Sequence, residues 1–173
     1  MKSSLANKNE LLLTGVTGFL GKVVLEELLR RREELSIPRI HVLIRPKNGI
    51  SAEERFHSEV VSSRCFSMLK EGWQERVEIL AGELIDEECG LDESTRTRLV
   101  DRVTHVIHCA ASIEFDLPII EAAAANITSC LNMLELARSF RRLQSMVSVS
   151  TAYVTTLSDI GSPIEERLAP LPR

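Results

Sequence analysis

Eight residues, Thr14-Gly15-Val16-Thr17-Gly18-Phe19-Leu20-Gly21, restrict what this chain can fold into more than any others. They stand between a short apolar run, Glu10 to Thr14, and a segment of helical period that begins near Phe19 and carries Leu20, Val24 and Leu28 on one face. A second strand, Arg39 to Ile44, follows Pro38 and completes a βαβ unit around the glycine turn. In such a turn Gly15 permits the tight bend, Gly18 lets backbone approach a pyrophosphate, and Gly21 allows the helix to pack closely on the sheet. The helix N-terminus adds unpaired N–H groups and a partial positive charge. The Gly-Lys-Ser/Thr of a nucleoside-triphosphate loop is missing, so the pattern points to a dinucleotide and away from phosphoryl transfer.

The same alternation continues downstream. Ser51 stands three residues before Glu54, a capping-box spacing, and opens a helix with Phe56 and Val60 on one side. Further strands are expected at 77–81, 104–109 and 145–150, and a helical stretch from near Asp92. A long helix is expected over 118–140, with Ile119, Ala123, Ile127, Leu131 and Leu134 as its apolar face. Five strands with right-handed crossovers predict an α/β, Rossmann-like three-layer sandwich with a parallel sheet of order 3-2-1-4-5, incomplete on its C-terminal side. Residues 1–173 form one domain on this reading. The open edge of the fifth strand invites pairing with another copy, so a homo-oligomer is expected.

Composition removes several functions. With 21 Lys+Arg against 25 Asp+Glu the net charge is −4, which leaves no basic excess to neutralise nucleic-acid phosphates. No apolar run reaches the roughly 18 residues of a membrane span. The N-terminal apolar run breaks after Leu13, short of a signal-peptide core, and a cytoplasmic location is the expectation. Cys65, Cys89, Cys109 and Cys130 stand singly and read as reduced thiols. His105 and His108 sit three apart in a strand, on opposite faces, which argues against a shared metal, and none is expected.

A site that selects NAD places Asp or Glu at the end of the second strand, to bind the ribose diol. Here the residue is Arg45, with Lys47 close behind. A cation at that position attracts the additional phosphate of NADP where a carboxylate would repel it. NADP(H) is therefore the expected cofactor; the alternative is a solvated basic turn.

The segments TGVTGFLG, HVLIRPK, AGEL, HVIHCAASIEFD and VSVSTAYV, in that order over nearly the whole chain, resemble the N-terminal half of fatty acyl-coenzyme A reductases. These belong to the extended short-chain dehydrogenase/reductase superfamily, and HCAASIEFD and STAYV are the most family-specific pieces. The resemblance implies an oxidoreductase of lipid metabolism that uses NADPH to reduce a long-chain fatty acyl-CoA, or another acyl thioester, to an aldehyde or, by a second reduction, an alcohol. It places Gly15, Thr17, Gly18, Phe19, Leu20 and Gly21 at the diphosphate, Arg45 at the adenosine phosphate, and Glu83 and Leu84 near adenine; Lys47 joins the cofactor-binding set from the basic strand end alone. Ala110 and Ala111 would let the nicotinamide ribose lie against backbone, or serve sheet packing. Thr151, with Ser150 second, would hydrogen-bond the substrate carbonyl as the catalytic hydroxyl; the alternative is that both cap a turn. Asn126, polar on an apolar helix, either holds a water or backbone group near those residues or faces solvent.

The chain departs from the superfamily at the proton donor, a tyrosine with a lysine four residues later. Its one tyrosine, Tyr153, is followed at that distance by Leu157. The expectation is an N-terminal portion of a longer reductase, able to bind NADPH yet nearly inactive alone. Two other readings stay open: a different extended reductase, of the nucleotide-sugar epimerase or hydroxysteroid dehydrogenase type, and a non-catalytic NADP-sensing module. Arg45 and HCAASIEFD weigh against a sugar epimerase.

Overall fold

A computed structural model describes residues 8–151 and Gly161. Strands β1 (Glu10–Thr14), β2 (Arg39–Ile44), β3 (Val77–Ala81), β4 (Val103–His108) and β5 (Ser145–Ser148) form one parallel sheet of order β3-β2-β1-β4-β5. The chain steps outward from β1 to β3 and then crosses back to β4 on the other side. The loops after β1 and β4 therefore diverge, and a crevice opens at the carboxyl ends of the strands. Strand order and the first three strands agree with the sequence expectation. β4 begins and ends one residue earlier than expected, and β5, which among the described residues is an edge strand paired with β4, stops at Ser148 instead of reaching Ser150.

Helices cover both faces, which is why β1 reads ELLLT without alternation. Leu11 and Leu13 face a cluster with Leu25 and Leu29 of α1 (Phe19–Arg30), completed by Phe56, Phe66 and Trp73. Trp73 stacks on Phe66 with centroids 4.7 Å apart. Leu12 faces the other layer, with Leu99 of α3 (Glu93–Val100) and Met133 and Leu136 of α5 (Ser129–Ser139). The capping box forms as expected: Ser51 Oγ accepts the Glu54 amide and Glu54 accepts the Ser51 amide, opening α2 (Ala52–Arg55), which continues into a π turn carrying the buried Phe56 and Val60.

Two helical faces differ from expectation. In α1 the buried stripe is Gly21, Leu25, Leu28 and Leu29, and Leu20 is exposed. The expected long helix is α4 (Ile119–Ala123), a π turn at Ala124–Thr128, and α5 in succession. Its expected apolar face points outward: Ile119 is 81% exposed, and Ile127, Leu131 and Leu134 are also exposed. Ser129, Met133, Leu136 and Ala137 pack on the sheet in their place. The segment is apolar on two sides, and the π turn inserts residues that a 3.6-residue period does not follow.

At the amino end of the sheet a charged group lies inside. His41, fully buried in β2, has Nε2 2.9 Å from Glu10 Oε2 on β1 and Nδ1 3.2 Å from Glu78 Oε2 on β3, the second without hydrogen-bond alignment. Arg98 of α3 closes on Glu78 at 2.6 Å. The His41 hydrogen bond outweighs burial and holds the Glu10 carboxyl below its usual range. A depressed carboxyl stabilises the fold above its unfolded pKa of about 4.3, and that stability is lost as pH falls through the folded value. Glu10→Gln is expected to cost about 1–3 kcal/mol at pH 7. Urea unfolding at pH 7 and pH 4 checks this: the gap between wild type and variant should shrink on the acid side, and an equal gap at both pH values would contradict it.

Candidate functional site

The glycine turn is built by contacts that exclude side chains. Gly15 has φ +78°, and a Cβ there would lie 2.7 Å from Ala110 N and Cys109 C. Gly18 N donates to Gly15 O at 3.0 Å, and Gly18 then starts α1 without a side-chain cap. A Cβ on Gly18 would meet Gly15 O alone, at 3.3 Å. On Gly21 it would lie 2.1 Å from Gly15 O and 2.5 Å from Gly15 C. The close approach that Gly21 permits is thus to the turn's own backbone, a tighter demand than helix-on-sheet packing. No acidic residue occupies the first turn of α1, and its N-terminus has no side-chain cap, a combination suited to an anion.

A cleft of about 630 Å³ opens above β1, β2 and β4. Gly15, Thr17 and Gly18 line its centre, Arg45, Glu83 and Leu84 one flank, and Ala110 and Ala111 the other. The structure thus brings together Gly15, Thr17 and Gly18 of the expected diphosphate set with the expected adenine and nicotinamide residues, while Phe19, Leu20 and Gly21 are outside the cleft lining. Phe19 and Leu20 have exposed side chains at the start of α1, which leaves only their backbone to meet an anion. Lys47 lies on the exposed turn after β2, bridged to Ile50 and outside the cleft lining.

Arg45 is exposed and pairs with Glu83 at 3.4 Å. A second arginine that the sequence reading did not single out meets it. Arg55, the last residue of α2, has a side chain only 12% exposed, donates through Nη1 to the Arg45 carbonyl at 2.5 Å, and pairs through Nε with Glu59 at 2.7 Å. It too lines the cleft. The signal was present: the Ser51–Glu54 capping box fixes where α2 starts, with Ala52 and Phe56 buried, so that Arg55 turns back toward the end of β2.

The loop after β4 is held at two points. Ala110 N donates to Thr14 Oγ1 at 3.2 Å, and Thr14 Oγ1 lies 2.8 Å from His108 Nδ1. Asn126, on the π turn, accepts the Ser112 amide at 2.8 Å and donates to the Ser112 carbonyl at 3.2 Å. Asn126 grips backbone, as one of its two readings had it, and is exposed to solvent as well, as the other had it. Cys109 lines the cleft half-buried, and burial pushes its thiol pKa up, so it stays protonated and is a poor nucleophile. Ser150 and Thr151 follow the end of β5, exposed and outside the cleft lining. Tyr153 lies outside the described residues.

A sequence profile of the family described as male sterility protein matches residues 13–170. Fatty acyl-CoA reductase 1 of Gallus gallus is 35% identical over 145 residues, which cover 82% of this chain and 28% of that protein. Fatty acyl-CoA reductase 2 of Mus musculus is 30% identical over 156 residues, covering 88% and 30%. The chain therefore spans less than a third of the length of these curated relatives. Among solved structures, the terminal R domain from the myxalamid PKS-NRPS biosynthetic pathway has a TM-score of 0.69 at 31% identity, covering 84% of this chain and 35% of that one.

Proposed function

The chain belongs to the male sterility protein family, and on that premise we propose that it forms the cofactor-binding part of an NADPH-dependent fatty acyl-CoA reductase. The cofactor is a nicotinamide dinucleotide. What supports NADP(H) in particular is one observation: the guanidinium groups of Arg45 and Arg55 belong to the same cleft as the uncapped N-terminus of α1. A second phosphate beyond the diphosphate is the anion such a pair accommodates, and Arg binds phosphate through two parallel hydrogen bonds.

In this reading the amides of Phe19, Leu20 and Gly21 receive the diphosphate and Arg45 and Arg55 the 2′-phosphate, while Leu84 lies near adenine. The backbone at Ala110 and Ala111 takes the nicotinamide end. When bound, the cofactor supplies hydride to the thioester carbonyl. Thr151, with Ser150 as the second candidate, donates a hydrogen bond to the oxygen on which negative charge develops. Because the chain has no Tyr-xxx-Lys pair, the proton donor is assigned to another part of the full reductase.

Calorimetric titration with NADPH and NADH tests the cofactor. NADPH is expected to bind about tenfold or more tightly, as one charge-assisted contact is worth roughly 1.5–3 kcal/mol and 1.4 kcal/mol is a factor of ten. Equal or tighter binding of NADH would overturn the assignment.

A further inference from the structure

The two flanks of the cleft nearest the nicotinamide end are joined through one buried hydroxyl. Thr14 ends β1 and His108 ends β4; they are direct neighbours in the sheet, 0% and 3% exposed. Thr14 Oγ1 lies 2.8 Å from His108 Nδ1 and accepts the Ala110 amide at 3.2 Å. Gly15, the next residue, presses on the same segment, since a Cβ there would be 2.7 Å from Ala110 N.

The proton positions follow from counting donors. The Ala110 amide has to donate, and it donates to Thr14 Oγ1. The Thr14 hydroxyl carries one proton of its own, and His108 Nδ1 is the acceptor in reach among the described residues. A proton on Nδ1 would aim a second donor at Oγ1 and leave the hydroxyl proton buried without an acceptor. The ring is therefore neutral with its proton on Nε2.

We propose that His108 is a positioning residue of the cofactor site: as the Nε2–H tautomer it accepts the Thr14 hydroxyl, orients that oxygen to receive the Ala110 amide, and so sets the backbone at 109–111. Protonation of the ring reverses the Thr14 hydroxyl and loosens that backbone. The environment favours the neutral form. Thr14 and His108 continue the face of Leu12 and Val106, which packs on Met133 of α5. Ser148 of β5 stands opposite His108, with Cys130 of α5 3.7 Å from its hydroxyl, and Cys109 follows in the chain. These neighbours include no carboxylate, lysine or arginine to hold an imidazolium. Burial alone lowers the His108 pKa, with no charged group contributing.

The nicotinamide end depends on the function proposed above, but the proton arrangement does not, and the experiment separates them. On the 173-residue chain without cofactor, nitrogen-resolved NMR of the imidazoles at neutral pH is expected to show His108 as the Nε2–H tautomer. An Nδ1–H tautomer or an imidazolium overturns the proposal whatever the cofactor. Next, His108→Leu removes the acceptor, and His108→Asn keeps an oxygen near the place of Nδ1. The leucine variant is expected to speed hydrogen exchange at the Ala110 amide and to weaken NADH binding about tenfold, the loss of one hydrogen bond, with the asparagine variant restoring most of both. Wild-type NADH affinity should fall as the pH drops beneath the ordinary histidine range, and that of the asparagine variant should stay level. NADH is the probe because it lacks the 2′-phosphate, which titrates in that range. Equal weakening by both variants, or an unchanged acid limb in the asparagine variant, would overturn the proposal. If no dinucleotide binds, the cofactor reading fails, and tautomer and amide exchange still decide the role of His108.

Discussion

Replacing Gly21 with alanine is expected to destabilise the domain by about 3 kcal/mol or more and to abolish measurable dinucleotide binding, because the added methyl has no way to be accommodated. Its Cβ would lie 2.1 Å from Gly15 O, 2.5 Å from Gly15 C and 2.9 Å from Val16 Cα, all main-chain atoms. Neither side can withdraw. Gly15 is fixed by its positive φ and by Ala110 behind it, and α1 is anchored by Leu25, Leu28 and Leu29 in the core. Gly18→Ala is the informative contrast. Gly18 has φ −83°, which alanine adopts freely, and its Cβ would touch Gly15 O alone at 3.3 Å. That variant should melt within about 1 kcal/mol of wild type yet bind poorly, since the methyl sits where phosphate must approach backbone. Thermal melts with calorimetry on both variants separate the cases; a Gly21→Ala protein that melts and binds as wild type does would show that the turn is not built this way.

The turn was legible because its residues are bound by neighbours in the chain: a strand before, a helix after, and glycines where no side chain fits. β1, β2 and β3 were equally legible, bounded by Gly15, Pro38 and Gly82. β4 and β5 were read one and two residues too far because Cys109, Val149 and Ser150 continue the pattern after the ladder has ended, although Val149 N still reaches His108 O at 2.9 Å. Helix faces were harder. Both sides of the segment from Ile119 to Ser139 are apolar, so period alone does not say which meets the sheet, and the fold buries the side bearing Met133 and Leu136. The Glu10–His41–Glu78 group was invisible for another reason: three polar residues on three separate strands become one cluster only when the strand order is known. Arg55 belongs to the same class, a residue ten positions from Arg45 whose place depends on how α2 returns over the sheet.

Arg55 and Arg45 should differ in what their loss costs. The Arg45–Glu83 pair is 3.4 Å long with side chains 53% and 27% exposed, an ion pair worth at most about 1 kcal/mol, so Arg45 can leave it for a phosphate at little cost. It also gives up side-chain freedom when it does. Arg55 has lost that freedom already: Glu59 and the Arg45 carbonyl hold its guanidinium, and its side chain is mostly buried. A preorganised donor returns more of its interaction energy on binding. Arg55→Ala is therefore expected to weaken NADPH binding roughly 30- to 100-fold and Arg45→Ala about tenfold, with NADH changed by about twofold or less in each. Lys47→Ala should stay near wild type, because Lys47 lies outside the cleft lining. Arg55→Lys should recover only part of the loss, since an ammonium cannot make the two parallel bonds of a guanidinium. Parallel titrations of the four variants with both dinucleotides measure this. A fall in NADH affinity as large as that for NADPH in Arg55→Ala would mean that Arg55 acts by bracing the end of β2 through the Arg45 carbonyl, and the 2′-phosphate would then rest on Arg45 alone.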